Sequence, residues 1–530
     1  MIHLLTATAL ACGGLFCEAP TSPIDQAGER IVFAIDKEAG RLEMHAQIAY
    51  EGPANQFAWL VPVPAVPELF LSTDELFSVL DAFTAPLFFL NQTSTCDDGA
   101  NRSDDTDAPE GVGPVTVVAS TAVGPYESVT LQADSAAAMI GWLSANGYYV
   151  PEGVEPYLAP YVAAGAYIVA LRLQKDRTAG ELAPIGLSFA GDTPTIPLTM
   201  TAVAATPDMV MIPWILGKGR AVPENYLHVV INELAIDWWS AGDNYSAVVG
   251  RAADVAGGQA FATDFAGTTA PMRWRLVWAE RFRVEELRAS TTVRSLWGAI
   301  LQQGFVVDER LLGLMRRYFP DSDAVYTDVS RRPLELDLDC DVEGEPGCEV
   351  VDTGPAVDGL VAEVIAPLER AEALFHRFPY ATRLTSSASP AEMTLDPRFV
   401  INRDLPDVPR TRMATFEAVD CDNDGFSRLT LSDGRWVDVP VSDAAVGGPT
   451  PWQYLSAAFS DLPVLRIEST GRSGAPVVLV DASGQIDAVR ASLRSGGDDG
   501  CGAGGCDGTG GAGAPAAALA LLAARRRRAR

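Results

Sequence analysis

Apolar residues follow two periods along this chain, and the places where the period changes outline its architecture. The densest run, residues 194–217, reads PTIPLTMTAVAATPDMVMIPWILG. It predicts two strands, 196–205 and 208–216, separated at Thr206 and Pro207. Near-continuous Ile, Leu, Val and Met suit strands covered on both faces of a sheet. Upstream, 30–36 and 41–50 alternate apolar and polar positions around 37–40, the pattern of a β-hairpin. Residues 56–69 continue as a strand that Pro62, Pro64 and Pro67 confine to a sheet edge or an extended loop. Ser72 and Glu75 form a capping-box pattern ahead of Leu76, Phe77, Leu80 and Phe83, so a short amphipathic helix follows.

Residues 91–114 are acidic, lack apolar period and read as a long loop, and 115–122 reads as a strand. Asp134 or Ser135 caps a helix closed by Asn146 and Gly147, and 156–164 predicts another short helix. Strands are expected at 167–173 and 228–238, and a helix at 245–255. From 291 to 319 the period is helical, with Asp308 capping the second of two helices; 358–378 gives the longest helix. Strand signals return at 429–431, 436–441, 464–468 and 477–480. No unit of about 20–50 residues recurs, which excludes a solenoid or propeller. The fold class is α+β: a mixed, largely antiparallel sheet with peripheral helices, a helical middle segment and a small C-terminal β region. The expected division is an α+β domain at 12–285, a helical segment at 286–400 and a β-rich region at 401–490.

Charge narrows the function classes. The chain has 530 residues, with 69 acidic against 39 basic side chains and a net charge of −30. Such a surface repels phosphate backbones and anionic lipid, so nucleic-acid binding is excluded as a role. Only Lys37, Lys175 and Lys218 are lysines; the remaining basic side chains are arginine, the composition of a GC-rich coding sequence.

Both ends read as addresses. Residues 1–11 form a short apolar run ending in Ala9-Leu10-Ala11, a signal-peptidase pattern that makes Cys12 the first mature residue. Residues 491–514 are a Gly-rich linker carrying Cys501 and Cys506. Residues 515–530 are a short apolar run followed by Arg525, Arg526, Arg527, Arg528 and Arg530. At about 14 residues the apolar part falls short of the roughly 20 of a spanning helix, so it suits a transient processing signal. The tail resembles the myxobacterial C-terminal sorting signal, with Cys501 or Cys506 as the processing position. The remaining cysteines are Cys12, Cys17, Cys96, Cys340, Cys348 and Cys421. In an exported chain their even number implies disulfides, with Cys340–Cys348 the leading candidate and Cys12–Cys17 the second.

Six segments together resemble one family. They are ACGGLFC at 11–17, DQAGERIVFAID at 25–36 and FAWLVPVPAVPEL at 57–69, then WLSANGY at 142–148, NYLHVVINELAIDW at 225–238 and YATRLTSSASPAEMTLDPRF at 380–399. The chain is similar over about 11–490 to the bacterial domain-of-unknown-function 2330 family. The resemblance implies an exported protein and brings no activity, ligand or catalytic residue with it.

Chemistry-bearing motifs are few. Of the four histidines, His3 lies in the expected signal, and His45, His228 and His376 are expected in structural roles. No metal-helix, nucleophile-elbow or phosphate-loop motif occurs, although a Ser-His-Asp or Cys-His site can assemble across a fold without sequence proximity. Asp420, Asp422 and Asp424 with Gly425 match the opening of a calcium loop, but Leu431 stands where the bidentate Glu belongs. A polar turn is the plainer reading of that run, and calcium is the one cofactor the sequence suggests. The run Asp337, Asp339, Asp341 is a poorer match. Trp59, Trp214, Trp238, Trp239 and Tyr226 are expected in the core, with a glycan- or peptide-binding face as the alternative. The expected function is a non-catalytic interaction or structural module, exported to the cell surface or outer envelope. Its partners would be the export and tail-processing machinery and an envelope or extracellular ligand, with membrane contact only through the tail. The alternative is a hydrolase-like envelope enzyme.

Overall fold

The computed structural model describes residues 29–47, 59–93, 120–148, 150, 153–174, 182–203, 205–276, 281–322, 325–326, 329, 340, 345–418, 426–440 and 449–495. The first half contains β1 (Glu29–Asp36), β2 (Arg41–Ala46), β3 (Trp59–Val63), β4 (Glu68–Leu71), α1 (Asp74–Thr84), β5 (Leu87–Thr93), β6 (Ser120–Val123), β7 (Tyr126–Leu131), α2 (Ala136–Ala145), α3 (Glu155–Ala163), β8 (Tyr167–Leu173), β9 (Ile185–Ala190), α4 (Leu198–Thr201), β10 (Met209–Gly217), β11 (Arg220–Pro223), β12 (Leu227–Ile231), α5 (Tyr245–Val255) and β13 (Ala260–Thr268). Then come α6 (Val284–Arg288), α7 (Val293–Gln302), α8 (Glu309–Tyr318), α9 (Gly354–Leu360), a π-helical turn (Val361–Ile365), α10 (Ala366–Arg377), β14 (Tyr380–Ala388), β15 (Phe399–Asn402), β16 (Thr411–Ala418), β17 (Phe426–Leu431), β18 (Trp436–Pro440), α11 (Pro451–Phe459), β19 (Val464–Ser469), β20 (Val477–Asp481) and α12 (Ser483–Ser495).

A ten-stranded sheet in the order β20-β19-β12-β13-β14-β10-β1-β2-β9-β4 organises these elements. Within it only β1/β10 and β12/β13 run parallel; the other neighbours are antiparallel. The class is therefore α+β with a mixed, mostly antiparallel sheet. Strand period 2 explains its two-sided core. Ile31, Phe33 and Ile35 of β1 and Met211 and Ile215 of β10 enter one apolar cluster. The intervening Val32, Ala34, Trp214 and Leu216 enter another, under α1 and α10. Two four-stranded sheets, β3-β8-β7-β6 and β18-β17-β16-β5, and the ribbon β11-β15 flank the main sheet. The middle helices α6 to α9 close their own core around Trp297, Leu312, Met315 and Leu360. The main sheet takes strands from 12–285, 286–400 and 401–490 alike, because β14 lies at its centre and β19 and β20 at one edge.

Three local expectations are corrected. The described residues of 196–205 form no strand. Pro197 removes a ladder donor, the turn α4 forms after it, and the Thr199 N–H goes to Asp396 Oδ1 at 2.8 Å. The segment 228–238 leaves the sheet after Ile231, where Asn232 caps a single 3₁₀ turn, Glu233–Ala235. The cap of α1 is Thr73, whose hydroxyl accepts from Glu75 N; Ser72 is otherwise engaged. In the C-terminal region the sequence reading also missed α11 and α12.

Candidate functional site

The parallel pair β1 and β10 ends at Asp36 and Gly217, and a crevice of about 450 Å³ opens just beyond. In open α/β sheets ligands bind in crevices outside the carboxyl ends of parallel strands, and this mostly antiparallel sheet shares only the local feature of a parallel pair ending side by side. Five separate chain segments wall it: 35–38 after β1, 217–218 after β10, 377–378 at the end of α10, 401–404 around the end of β15, and Arg472–Ser473 between β19 and β20. Ile35, Phe378 and Ile401 give it apolar surface, and Lys37, Lys218, Arg377, Arg403 and Arg472 give it positive charge.

Short-range bonds hold these walls in place. Gly40, with φ of 60°, lets the β1–β2 turn close, and Ala39 N donates to Asp36 Oδ1 at 2.9 Å. That N–H is the main reason the Asp36 carboxyl sits below the usual carboxylate range; burial opposes it, and the Arg377 guanidinium adds to it. Arg377 donates to Glu43 Oε1 at 2.6 Å and pairs with Asp36 Oδ2 at 3.4 Å. Lys218 pairs with Glu38. Asn402 is 1% exposed and pins the opposite rim, donating to Gly471 O at 2.8 Å and Gly474 O at 3.0 Å. Asp404 Oδ2 accepts from Gly474 N at 2.7 Å, and Arg472 Nε donates to Glu224 Oε1 at 3.0 Å. Lys37 and Arg403 have no side-chain hydrogen bond or ion pair among the described residues.

A second cavity, about 330 Å³, lies between the main sheet and the middle helices, lined by Ser72, Thr73, Phe282, Phe305, Leu314 and Leu368 among others. Behind it stands a line of residue types familiar from hydrolases. The Ser72 hydroxyl shares a 2.7 Å hydrogen bond with His45 Nδ1, and His45 Nε2 lies 3.9 Å from Glu43 Oε2. The electrostatics oppose nucleophile activation. Burial first and the Arg370 charge second push the His45 imidazole down to about 3, so it holds a proton far less readily than a general base must. Neither Nε2 of His45 nor Oε2 of Glu43 has a hydrogen-bond partner.

The other sequence-derived candidates fall as follows. Cys340 and Cys348 form a disulfide across the loop before α9. Cys12, Cys17, Cys96, Cys421, Cys501 and Cys506, the run Asp420, Asp422 and Asp424, and residues 337, 339 and 341 lie outside the described residues. Among the described residues no three His, Cys, Asp or Glu side chains converge as metal ligands. His228 is buried between Glu468 and Thr263, and burial lowers its basicity despite the Glu468 bond. Trp214, Trp238 and Tyr226 are core residues, and Trp239 packs edge-on to Phe416 at 5.1 Å, so these four do not form an open aromatic face. Sequence reasoning missed the crevice. Its one legible signal was the scarcity of lysine, since two of the three lysines line it.

No curated protein and no solved structure matches this chain. A family model described as "Uncharacterized protein conserved in bacteria (DUF2330)" matches residues 6–330, more than half of the chain's 530. Segment 380–399, which carries part of the resemblance, lies beyond the matched span. The chain belongs to the DUF2330 family.

Proposed function

We propose that this protein is an exported, disulfide-bonded module of the cell surface or outer envelope, which binds a ligand without chemically changing it. The observation that carries the reading is the crevice beyond β1 and β10, which gathers cations, carboxylates and apolar surface and, among the described residues that line it, no nucleophile paired with a base. The Cys340–Cys348 disulfide supports export, because such bonds persist in oxidising compartments. Val477, Val478 and Leu479, 63%, 48% and 44% exposed on the edge strand β20, add an apolar strip suited to a protein partner. In this reading residues 1–11 are the export signal and 515–530 the processing tail that touches the membrane only in transit. Among the described residues no helix is long and apolar enough to cross a membrane.

The test is protease shaving of intact cells with mass spectrometry of both mature termini. A chain starting at Cys12, lacking the arginine tail and shaved from the outside supports the reading. An intracellular chain with its tail intact refutes it. The aspartates 420, 422 and 424 remain a proposed weak calcium site, which requires a melting temperature that falls when EDTA replaces millimolar calcium. The second reading, a hydrolase, is favoured by the Ser72–His45–Glu43 line alone. It requires Ser72 to be labelled by a serine-directed fluorophosphonate.

A further inference from the structure

We propose that the crevice beyond β1 and β10 is an anion site for a sugar-sized ligand bearing a carboxylate or phosphate group. The inference rests on the binding-module reading and gives that module a ligand class. Over the whole chain acidic side chains outnumber basic ones by 69 to 39. In the crevice the order reverses, with Lys37, Lys218, Arg377, Arg403 and Arg472 facing Asp36, Glu38 and Asp404. Each of these carboxylates is engaged: Asp36 by Ala39 N and Arg377, Glu38 by Lys218, and Asp404 by Gly474 N. Arg377 and Arg472 are answered from outside the lining by Glu43 and Glu224, whereas Lys37 and Arg403 have no such partner among the described residues, so these two are the cations left to meet a ligand.

Shape and field then choose among anions. At about 450 Å³ the crevice matches small-molecule sites and exceeds what an inorganic ion fills. Ile35, Phe378 and Ile401 offer an apolar wall to the body of a ring, while the cations address its charged substituent. A long polyanion would run from these two cations onto a protein of net charge −30, where repulsion works against it. A small anion stays within the roughly 8 Å over which the local cations dominate at physiological salt. Arg377, Arg472 and the 471–474 loop are already held by Glu43, Glu224 and Asn402, so ordering them costs a ligand little.

Isothermal titration of the full-length protein with glucose, glucuronate and glucose 6-phosphate isolates the charge, because the ring is shared. The expected result is binding of at least one anion, no binding of glucose, and weakening with added salt. Preference between glucuronate and glucose 6-phosphate assigns the carboxylate or the phosphate as the recognised group. Lys37→Gln and Arg403→Gln, both at exposed positions, should each weaken binding about fivefold. Arg316→Gln, which removes a surface cation of α8 paired with Glu309, should leave it unchanged. Equal binding of glucose, no binding of either anion, or indifference to both crevice substitutions overturns the proposal. Retention of envelope fragments on the immobilised native protein, unaffected by these sugars and substitutions, would overturn the anion site while leaving the binding-module reading standing.

Discussion

Acidification should destabilise this protein through His45 well before most of its carboxylates take up protons. The imidazole is 1% exposed, bonded to Ser72 through Nδ1, set edge-on to Phe70 at 5.4 Å and without a partner on Nε2. Burial, with Arg370 adding to it, holds its pKa at about 3 against an ordinary 6.5. The folded value lies below the unfolded one, so as the pH falls the unfolded chain takes the proton first. The stabilisation is therefore complete above about pH 6.5 and is lost progressively as the pH drops toward 3. Each pH unit in that window costs about 1.4 kcal/mol, so the loss from about pH 6.5 to about pH 5 is roughly 2 kcal/mol. Measurements should stop near pH 5, because the isoelectric point of 4.4 invites precipitation below it. Urea unfolding of the wild type and of His45→Gln across this range gives the contribution as a difference, which also cancels the pH response of His228. The wild-type advantage should shrink by about 2 kcal/mol between about pH 6.5 and about pH 5. With only four histidines in the chain, the His45 ring resonance can be followed directly and should not titrate in this range. Parallel pH curves for the two proteins, or a ring titrating near 6.5, would refute the argument. Either result would also restore His45 as a competent base and reopen the hydrolase reading.

Three further outcomes follow from the packing. Asp264 is 0% exposed and binds the Tyr245 hydroxyl at 2.5 Å, the Thr385 hydroxyl at 2.5 Å and Arg383 at 3.0 Å, so Asp264→Ala should cost about 3–5 kcal/mol. Arg383 also donates to Asp81 Oδ1 at 2.7 Å, so a loss below about 1 kcal/mol in urea unfolding would show that this second pair alone satisfies the guanidinium. A Cβ on Gly186 would stand 2.0 Å from the Phe70 ring, whereas one on Gly40 meets nothing within 4 Å. Gly186→Ala should therefore lose about 2 kcal/mol or more by overpacking and Gly40→Ala about 1 kcal/mol by strain alone; melts in the reverse order would contradict the packing. Reducing Cys340–Cys348, eight residues apart, should cost about 2–3 kcal/mol and act first on the α6–α9 core, read by hydrogen exchange in α7; no change there would make the bridge structurally idle.

Much of the fold was legible where local chemistry decides it. The β1–β2 hairpin, the bounds of α5 and the Asp308 cap of α8 follow from alternation, helical spacing and a side chain that accepts from Leu311 N at 2.8 Å. Legibility failed where a distant partner decides. Residues 196–205 have strand-like composition, yet Asp396, almost two hundred positions away, takes the Thr199 N–H and holds a turn. Ser72 has the right spacing for a cap, yet His45 on β2 claims its hydroxyl. The strand signals for β19 and β20 were correct, but their pairing beside β12 extends the main sheet, which periodicity does not encode. The crevice was hidden for the same reason. Its five segments span residues 35 to 473, and only the tertiary fold makes their charges add.

Arg377 links the two cavities electrostatically through Glu43. It faces the crevice, bonds Glu43 and pairs with Asp36, and Arg370 approaches the same Glu43 at 3.9 Å. Glu43 is thus drawn toward two guanidinium groups and stands too far from His45 for a hydrogen bond. In a working relay the acid would instead bond the imidazole and stabilise its charged form. Here the arginines take the acid, burial removes the remaining support for an imidazolium, and the serine at the other end stays an ordinary hydroxyl. The same diversion fixes Arg377 at the wall of the crevice, in a position to face a ligand. One buried glutamate therefore both anchors Arg377 at the crevice and leaves His45 without a hydrogen-bonded acid.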